Sequence, residues 1–223
     1  MGGVTVDGII FDLDGVIVDS EPVWEEVRRA YVAEHGGTWQ EDTQRRLMGM
    51  STGEWARYLS DELGVRRTAD QVAAEVVEEM ARRYTVRVPV IDGAVNVVRG
   101  LAGRWPLGLA SSSPSRLIAA ALAATDLTDA FGSTLSTEET ERGKPAPDVY
   151  LSVARRLGLD PKCCAAVEDS SNGVRSAASA GMAVVAVPHG AYPLDPDARQ
   201  LAVTVLDSID ELTADVVDRL GHR

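Results

Sequence analysis

The sequence predicts an α/β fold: a parallel β-sheet with helices on both faces, interrupted early by an all-helical insertion. Three observations predict it. The apolar run Gly8-Ile9-Ile10-Phe11 stops abruptly at Asp12-Leu13-Asp14-Gly15; an unbroken β-type run of this kind marks a strand buried on both faces. From Leu107 onward short apolar runs alternate with helical patterns, as expected of β-α units feeding one sheet. Between these regions, from about Pro22 to Tyr84, only helical periodicity is visible.

The elements follow in order. After the first strand, Val16 to Glu21 form an outgoing, hinge-like connection. Pro22 suits a first helical turn, Val23, Trp24, Val27 and Tyr31 recur at helical spacing, and Gly36-Gly37 ends that helix. Leu47-Met48-Gly49-Met50-Ser51-Thr52-Gly53 is a loop-like interruption whose methionines either pack in a core or face outward. Thr68-Ala69-Asp70-Gln71 resembles a capping box ahead of Val72, Val76, Val77 and Met80. Val86 to Asp92 lead back. Strands are expected at Leu107–Ala110, Cys164–Val167, Ala183–Val187 and Val203–Leu206, and helices at Pro114–Ala124, Pro147–Leu157 and Ser171–Ala180. Asp207 to Arg223 read as a short acidic helix. Residues 1–18 and 89–223 are thus expected to form an α/β core domain, and residues 19–88 an inserted helical domain.

At 223 residues the chain can bury a proper core, and 45% hydrophobic with 25% charged residues is ordinary for a globular protein. A net charge of -12 argues against nucleic-acid binding, because little is available to neutralise a phosphate backbone. It also repels anionic metabolites at long range, so a phosphate site must rely on local donors. The two cysteines, Cys163 and Cys164, are adjacent in an apolar run, which suggests a reduced pair in a cytoplasmic protein. No secretory signal is recognised, and the longest uncharged stretch, Ser176 to Leu194, is broken by Gly181, Pro188, Gly190 and Pro193, so no membrane span is expected. His35, His189 and His222 show no ligand spacing. A monomer is the default expectation.

Four segments at strand ends carry possible chemistry. Asp12 and Asp14 fall beyond the carboxyl end of the first strand, where ligands of parallel sheets bind; the same segment also fits a plain Asp-Gly turn. Two such carboxylates repel and lose hydration, and a divalent cation is the simplest compensation. In Ser111-Ser112-Ser113-Pro114 a helix start, with Ser113 as cap and Pro114 at its first position, would offer N–H groups and a hydroxyl to a phosphate, or be an ordinary cap. In Gly143-Lys144-Pro145-Ala146-Pro147-Asp148 prolines stiffen the chain beside a lysine that could bind a phosphoryl oxygen or be a solvated loop residue. Glu168 and Asp169, ending another strand, are hard-cation ligands or an acidic helix cap.

Taken in order (acids, hydroxyls, lysine, acids, all on one sheet edge), these segments resemble the four-part signature of the haloacid dehalogenase (HAD) superfamily. The branch resembled is the one with a helical cap, which contains β-phosphoglucomutase and small sugar-phosphate phosphatases. The resemblance covers nearly the whole chain and implies a Rossmann-like HAD core with an inserted α-helical cap. It implies Asp12 as nucleophile and Mg²⁺ ligand, Asp14 as general acid/base and backbone-carbonyl ligand of Mg²⁺, Ser111 and Lys144 as phosphate-binding catalytic groups, and Asp169 as metal ligand. Glu168 sits where the family often has a second acid, on the metal or its water. Ser112 is a further expected substrate contact.

The implied reaction is Mg²⁺-dependent hydrolysis of a small phosphorylated metabolite, a sugar or polyol phosphate, through an aspartyl-phosphate. Asp14 argues against a dehalogenase, which lacks the second aspartate because halide needs no proton. The helical insertion contains no lysine, against phosphonate-cleaving relatives that form a Schiff base. A β-phosphoglucomutase-like phosphomutase is the alternative; where its cap resemblance implies a histidine and basic residues, this chain has Trp24, Met48 and Thr52. A lining of Trp24, Met48 and Met50 suits a leaving group without a second phosphate. Glu21, Gly49 and Asn172 are further expected contacts, and Asp19-Ser20-Glu21-Pro22 also resembles sugar-phosphate phosphatases. A non-catalytic relative that binds a phosphate ligand or protein would be expected to have lost one of Asp12, Asp14, Lys144 or Asp169, and all four are present.

Overall fold

The first apolar run is a strand, β1 (Gly8–Phe11), buried at every residue. The structure, a computed structural model, describes residues 5–47, 50–188 and 193–220. The further strands are β2 (Leu107–Ser111), β3 (Ser133–Ser136), β4 (Cys164–Glu168), β5 (Ala183–Ala186) and β6 (Thr204–Val205). They form one parallel sheet in the order β3-β2-β1-β4-β5-β6. The order reverses at β1, so the connections leaving β1 and β4 diverge and open a crevice at their carboxyl ends. Asp12 and Asp169 follow those two strands directly.

Between β1 and β2 the chain is helical: α1 (Glu21–Glu34), α2 (Thr43–Leu47), α3 (Thr52–Arg57), one π-helical turn (Tyr58–Glu62), α4 (Ala69–Val86) and α5 (Ala94–Ala102). The expected capping box starts α4: Gln71 N donates to Thr68 Oγ1 at 3.3 Å and Thr68 N to Gln71 Oε1 at 3.1 Å. Its apolar stripe, Val72, Val76, Met80 and Tyr84, is buried. The outgoing and returning connections run side by side, with Asp19 N donating to Pro89 O (2.8 Å) and Ile91 N to Ile17 O (2.9 Å).

The remaining helices are α6 (Ser115–Thr125), α7 (Asp148–Leu157), α8 (Ser171–Ser179), α9 (Pro196–Leu201) and α10 (Ala214–Leu220). Strand alternation sorts the core into two layers. Ile9, Phe11, Leu107, Leu109 and Val167 join Val98, Leu117, Ile118 and the buried residues of the helical segment. Ile10, Ala110, Ala166, Val184 and Ala186 pack against Val149, Tyr150 and Val153 of α7 and Val174 and Ala177 of α8.

Several expectations are corrected. β3, Ser-Thr-Leu-Ser, was not expected because an edge strand that is half-exposed at its start needs no apolar run. The short α5 and α9 were also missed; in α5, Gly100 weakens the helical pattern, and burial of Ala94, Val98 and Leu101 overrides it. Ser113 does not cap the helix after β2: Pro114 is the N-cap and α6 begins at Ser115. Ser113 N instead donates to Ser111 Oγ, and its carbonyl accepts from Ser136 Oγ. The expected interruption from Leu47 to Gly53 is narrower, since α2 reaches Leu47 and α3 starts at Thr52 behind a Ser51–Glu54 capping box. Met48, Gly49, His189 and His222 lie outside the described residues. The C-terminal segment holds a 3₁₀ turn (Ile209–Glu211) before α10 rather than one helix.

Candidate active site

β1 delivers Asp12 to the crevice, where its N–H still bonds Val167 O at 2.9 Å and its side chain is buried. Lys144, from the loop before α7, reaches the same point. Its Nζ donates to Asp12 Oδ1 (2.9 Å), Glu168 Oε1 (2.6 Å) and Ala110 O (3.0 Å), which occupies all three ammonium donors. Glu168 is fully buried. Its Oε1 also accepts from Tyr150 Oη at 2.7 Å, and its Oε2 accepts from Asp169 N, Ser170 N and Ser170 Oγ at 3.2–3.3 Å. The local chain is shaped to this carboxylate, for a Cβ on Gly173 would lie 1.9 Å from its carboxyl carbon.

Asp14 is held on both oxygens. Ser20 Oγ donates to Oδ1 at 2.5 Å and Ser111 Oγ to Oδ2 at 3.0 Å, while Ser111 Oγ accepts from Ser113 N at 2.9 Å. Ser111 therefore meets Asp14 directly and is fully buried, whereas Ser112 is exposed. Gly15 has φ +77°, and a Cβ there would fall 1.9 Å from Asp169 Oδ2. Only glycine lets the turn after Asp14 pass so close to Asp169.

Burial dominates the electrostatics. It pushes the carboxyls of Asp12 and Asp169 well above the ordinary range; Lys144 opposes this, and the neighbouring acids add to it. Lys144 is itself desolvated, yet Asp12 and Glu168 hold it firmly protonated. Carboxylate oxygens of Asp12, Glu168 and Asp169 lie within 4.8 Å of one another. A hard-oxygen donor set of desolvated carboxylates fits a divalent cation such as Mg²⁺, whose charge would offset their mutual repulsion.

The remaining expected residues lie in the helical segment between β1 and β2, apart from Asn172 in α8. Glu21 Oε2 accepts from Gln44 Nε2 at 2.7 Å. Trp24 is buried against Trp55, ring centroids 5.9 Å apart, and the Arg28 guanidinium lies over both rings at 4.4 and 4.9 Å. Met50 is half-buried and packs on the core, and Thr52 is half-buried at the start of α3. Asn172 accepts from Arg175 at 3.4 Å.

Sequence reasoning missed Ser20, Tyr150, Arg28, Gln44 and Trp55. Ser20 lies within Asp19-Ser20-Glu21-Pro22, where a serine before a helix reads as an ordinary cap, and Arg28 lies one helical turn after Trp24, the only signal for their stacking. Tyr150 and Gln44 carry no local signal, because their partners are 18 and 23 residues away.

A family-wide profile described as haloacid dehalogenase-like hydrolase matches residues 6–181. Hexitol phosphatase B of Escherichia coli K12 is 34% identical, covering 92% of this chain and 93% of its own. A phosphorylated carbohydrates phosphatase of Thermotoga maritima is 32% identical, covering 79% and 82%. Among solved structures, CbbY of Rhodobacter sphaeroides in complex with xylulose-1,5-bisphosphate superposes with a TM-score of 0.84 at 21% identity, covering 96% of this chain and 99% of that one. That last likeness concerns the fold; the profile and the sequence relatives establish that this chain belongs to the haloacid dehalogenase-like hydrolases.

Proposed function

We propose that this protein is a Mg²⁺-dependent phosphatase of a small phosphorylated metabolite, a sugar or polyol phosphate, working through an aspartyl-phosphate. The observation that carries the reading is the pairing of two aspartates with separate environments. Asp12 is clamped by Lys144, and Asp14 is held by two hydroxyls. Different surroundings for neighbouring carboxylates allow one to attack and the other to move a proton.

Asp12 attacks phosphorus in line; the phosphorus–oxygen ester bond breaks, and Asp14 donates its proton to the departing alkoxide. Asp14, now ionised, takes a proton from the water that attacks the phosphorus of the aspartyl-phosphate, which returns Asp12 as carboxylate and releases phosphate. Ser20 and Ser111 aim the Asp14 carboxyl, and Lys144 keeps Asp12 Oδ1 fixed. Asp12, Asp169 and the Asp14 carbonyl would hold Mg²⁺, with Glu168 behind them anchoring Lys144; when bound, the ion supplies charge neutralisation between anionic nucleophile and anionic substrate. Residues 19–88 act as the cap that excludes bulk water. The relatives named for carbohydrate and hexitol phosphates support the substrate class. The free Cys163 and Cys164 fit a reducing cytoplasm, and the protein is taken to act as a monomer.

The test is phosphate release from a panel of sugar, polyol and nucleotide phosphates with Mg²⁺ or EDTA, beside Asp12→Asn. Metal-dependent release that is absent in the variant is expected. No release, with β-glucose 1-phosphate converted to glucose 6-phosphate instead, would make it a mutase.

A further inference from the structure

Tyr150, in the first turn of α7, is fully buried among Ile10, Ala110, Val149 and Val153. A phenol in such surroundings needs an acceptor for its proton, or a buried donor is left unpaired. It donates to Glu168 Oε1 at 2.7 Å, the same oxygen that accepts from Lys144 Nζ at 2.6 Å. The Lys144 ammonium also lies over the phenol ring, 5.1 Å from its centroid. Tyr150 therefore meets Lys144 twice, through its ring and through the carboxylate oxygen they share. The chain between the two is pinned as well, since Ser176 Oγ of α8 donates to Ala146 O at 2.6 Å.

Lys144 has two acidic partners, and its ammonium stands nearer to Glu168 (2.6 Å) than to Asp12 Oδ1 (2.9 Å). Glu168 thus competes with the proposed nucleophile for one cation. A second donor on Glu168 Oε1 sets the positive end of an O–H dipole beside the ammonium and spreads the oxygen's charge over two hydrogens, which weakens its pull on Lys144. Without the phenol proton that oxygen would hold the ammonium alone, and Nζ would be drawn away from Asp12.

We propose that the Tyr150 hydroxyl is a positioning group for the nucleophile: by sharing Glu168 Oε1 with Lys144, it keeps the ammonium divided between Glu168 and Asp12. The inference rests on the reading of Asp12 as the nucleophile of a phosphatase. All three ammonium donors are engaged within the protein, so the effect falls on the speed of attack and not on the hold on the ester.

The test is Tyr150→Phe, which keeps the ring and removes only the hydroxyl. Release of p-nitrophenolate is followed with Mg²⁺-loaded enzyme in saturating excess over p-nitrophenyl phosphate. The first-order constant of that single turnover reports the attack by Asp12, and a fraction of misfolded protein does not change it. It should fall about three- to tenfold, with steady-state KM within about twofold of the unaltered enzyme. In Glu168→Gln, whose neutral amide has no charge to divide, adding Tyr150→Phe should change the constant by less than about twofold. An undiminished constant in Tyr150→Phe alone would overturn the proposal, whether or not Glu168→Gln folds. Equal losses in the two backgrounds would overturn it too, because the hydroxyl would then not act through Glu168. Absence of turnover of every phosphate ester by the unaltered enzyme would remove the phosphatase reading, and this inference with it.

Discussion

Glu168→Gln isolates the buried anchor of the site. Glu168 accepts from five donors, two on Oε1 and three on Oε2. A glutamine amide cannot accept at both ends. With its NH₂ toward Lys144 and Tyr150, the ammonium loses an acceptor and the phenol must turn. With the NH₂ toward Asp169 and Ser170, two backbone N–H groups lose theirs. Each unpaired buried donor costs about 1–3 kcal/mol, so the variant should lose about 2–4 kcal/mol. For a chain of this size that is about 4–16 °C in Tm, at about 2–4 °C per kcal/mol. Calorimetry and steady-state phosphate release should show the Tm drop together with a fall in kcat/KM of at least about tenfold, since Lys144 loses one of its two acidic partners. A Tm within about 2 °C of the unaltered protein and undiminished kcat/KM would refute the assignment. Tyr150→Phe removes only one of the five donors and should cost about 1 kcal/mol.

Asp14→Asn should lower kcat on alkyl phosphate esters by about 10²–10⁴-fold, and by much less on p-nitrophenyl phosphate, whose leaving group needs no proton; equal losses on both would refute a proton-transfer role. Gly15→Ala, forced into φ +77° with its Cβ against Asp169, should abolish Mg²⁺ binding measured calorimetrically and lower Tm. Mg²⁺ should raise the Tm of the unaltered protein and do so far less in Asp169→Asn, whereas an equal rise in both would remove Asp169 from the metal site. Burial raises the Cys164 thiol to about 11. Only about one part in a thousand is then thiolate at pH 8, so Ellman's reagent should leave Cys164 unmodified there, and its rate should rise about tenfold per pH unit up to pH 10. Rapid modification of Cys164 at pH 7, measured in folded Cys163→Ser so that the half-buried neighbour does not contribute, would contradict the placement.

The sheet and its functional edge were legible because their signals are local. A strand buried on both faces must be apolar throughout, and an acid directly after it must emerge at the strand's carboxyl end, so Ile9 to Asp14 and Cys164 to Asp169 announced themselves. The capping box at Thr68–Gln71 is equally local and formed as its spacing required. β3 and α5 were not legible, because an edge strand can be polar and a short helix can hold its place by burial alone.

For the site, sequence by itself brought Asp12, Asp14, Lys144 and Asp169 to one edge through motif and order. Only the tertiary structure decided what each one touches. Ser111 emerged as a phosphate-binding expectation and proves to hold Asp14. Glu168 emerged as a metal-side acid, and its two oxygens prove to be occupied by Lys144, Tyr150 and the start of α8. Arg28 and Gln44 carried no expectation at all. The physical reason is common to all of them. A side chain's type and spacing determine which edge or face it occupies, but its hydrogen-bond partner is chosen by whatever distant segment packing brings within 3 Å, and desolvation then decides which of those pairings is strong.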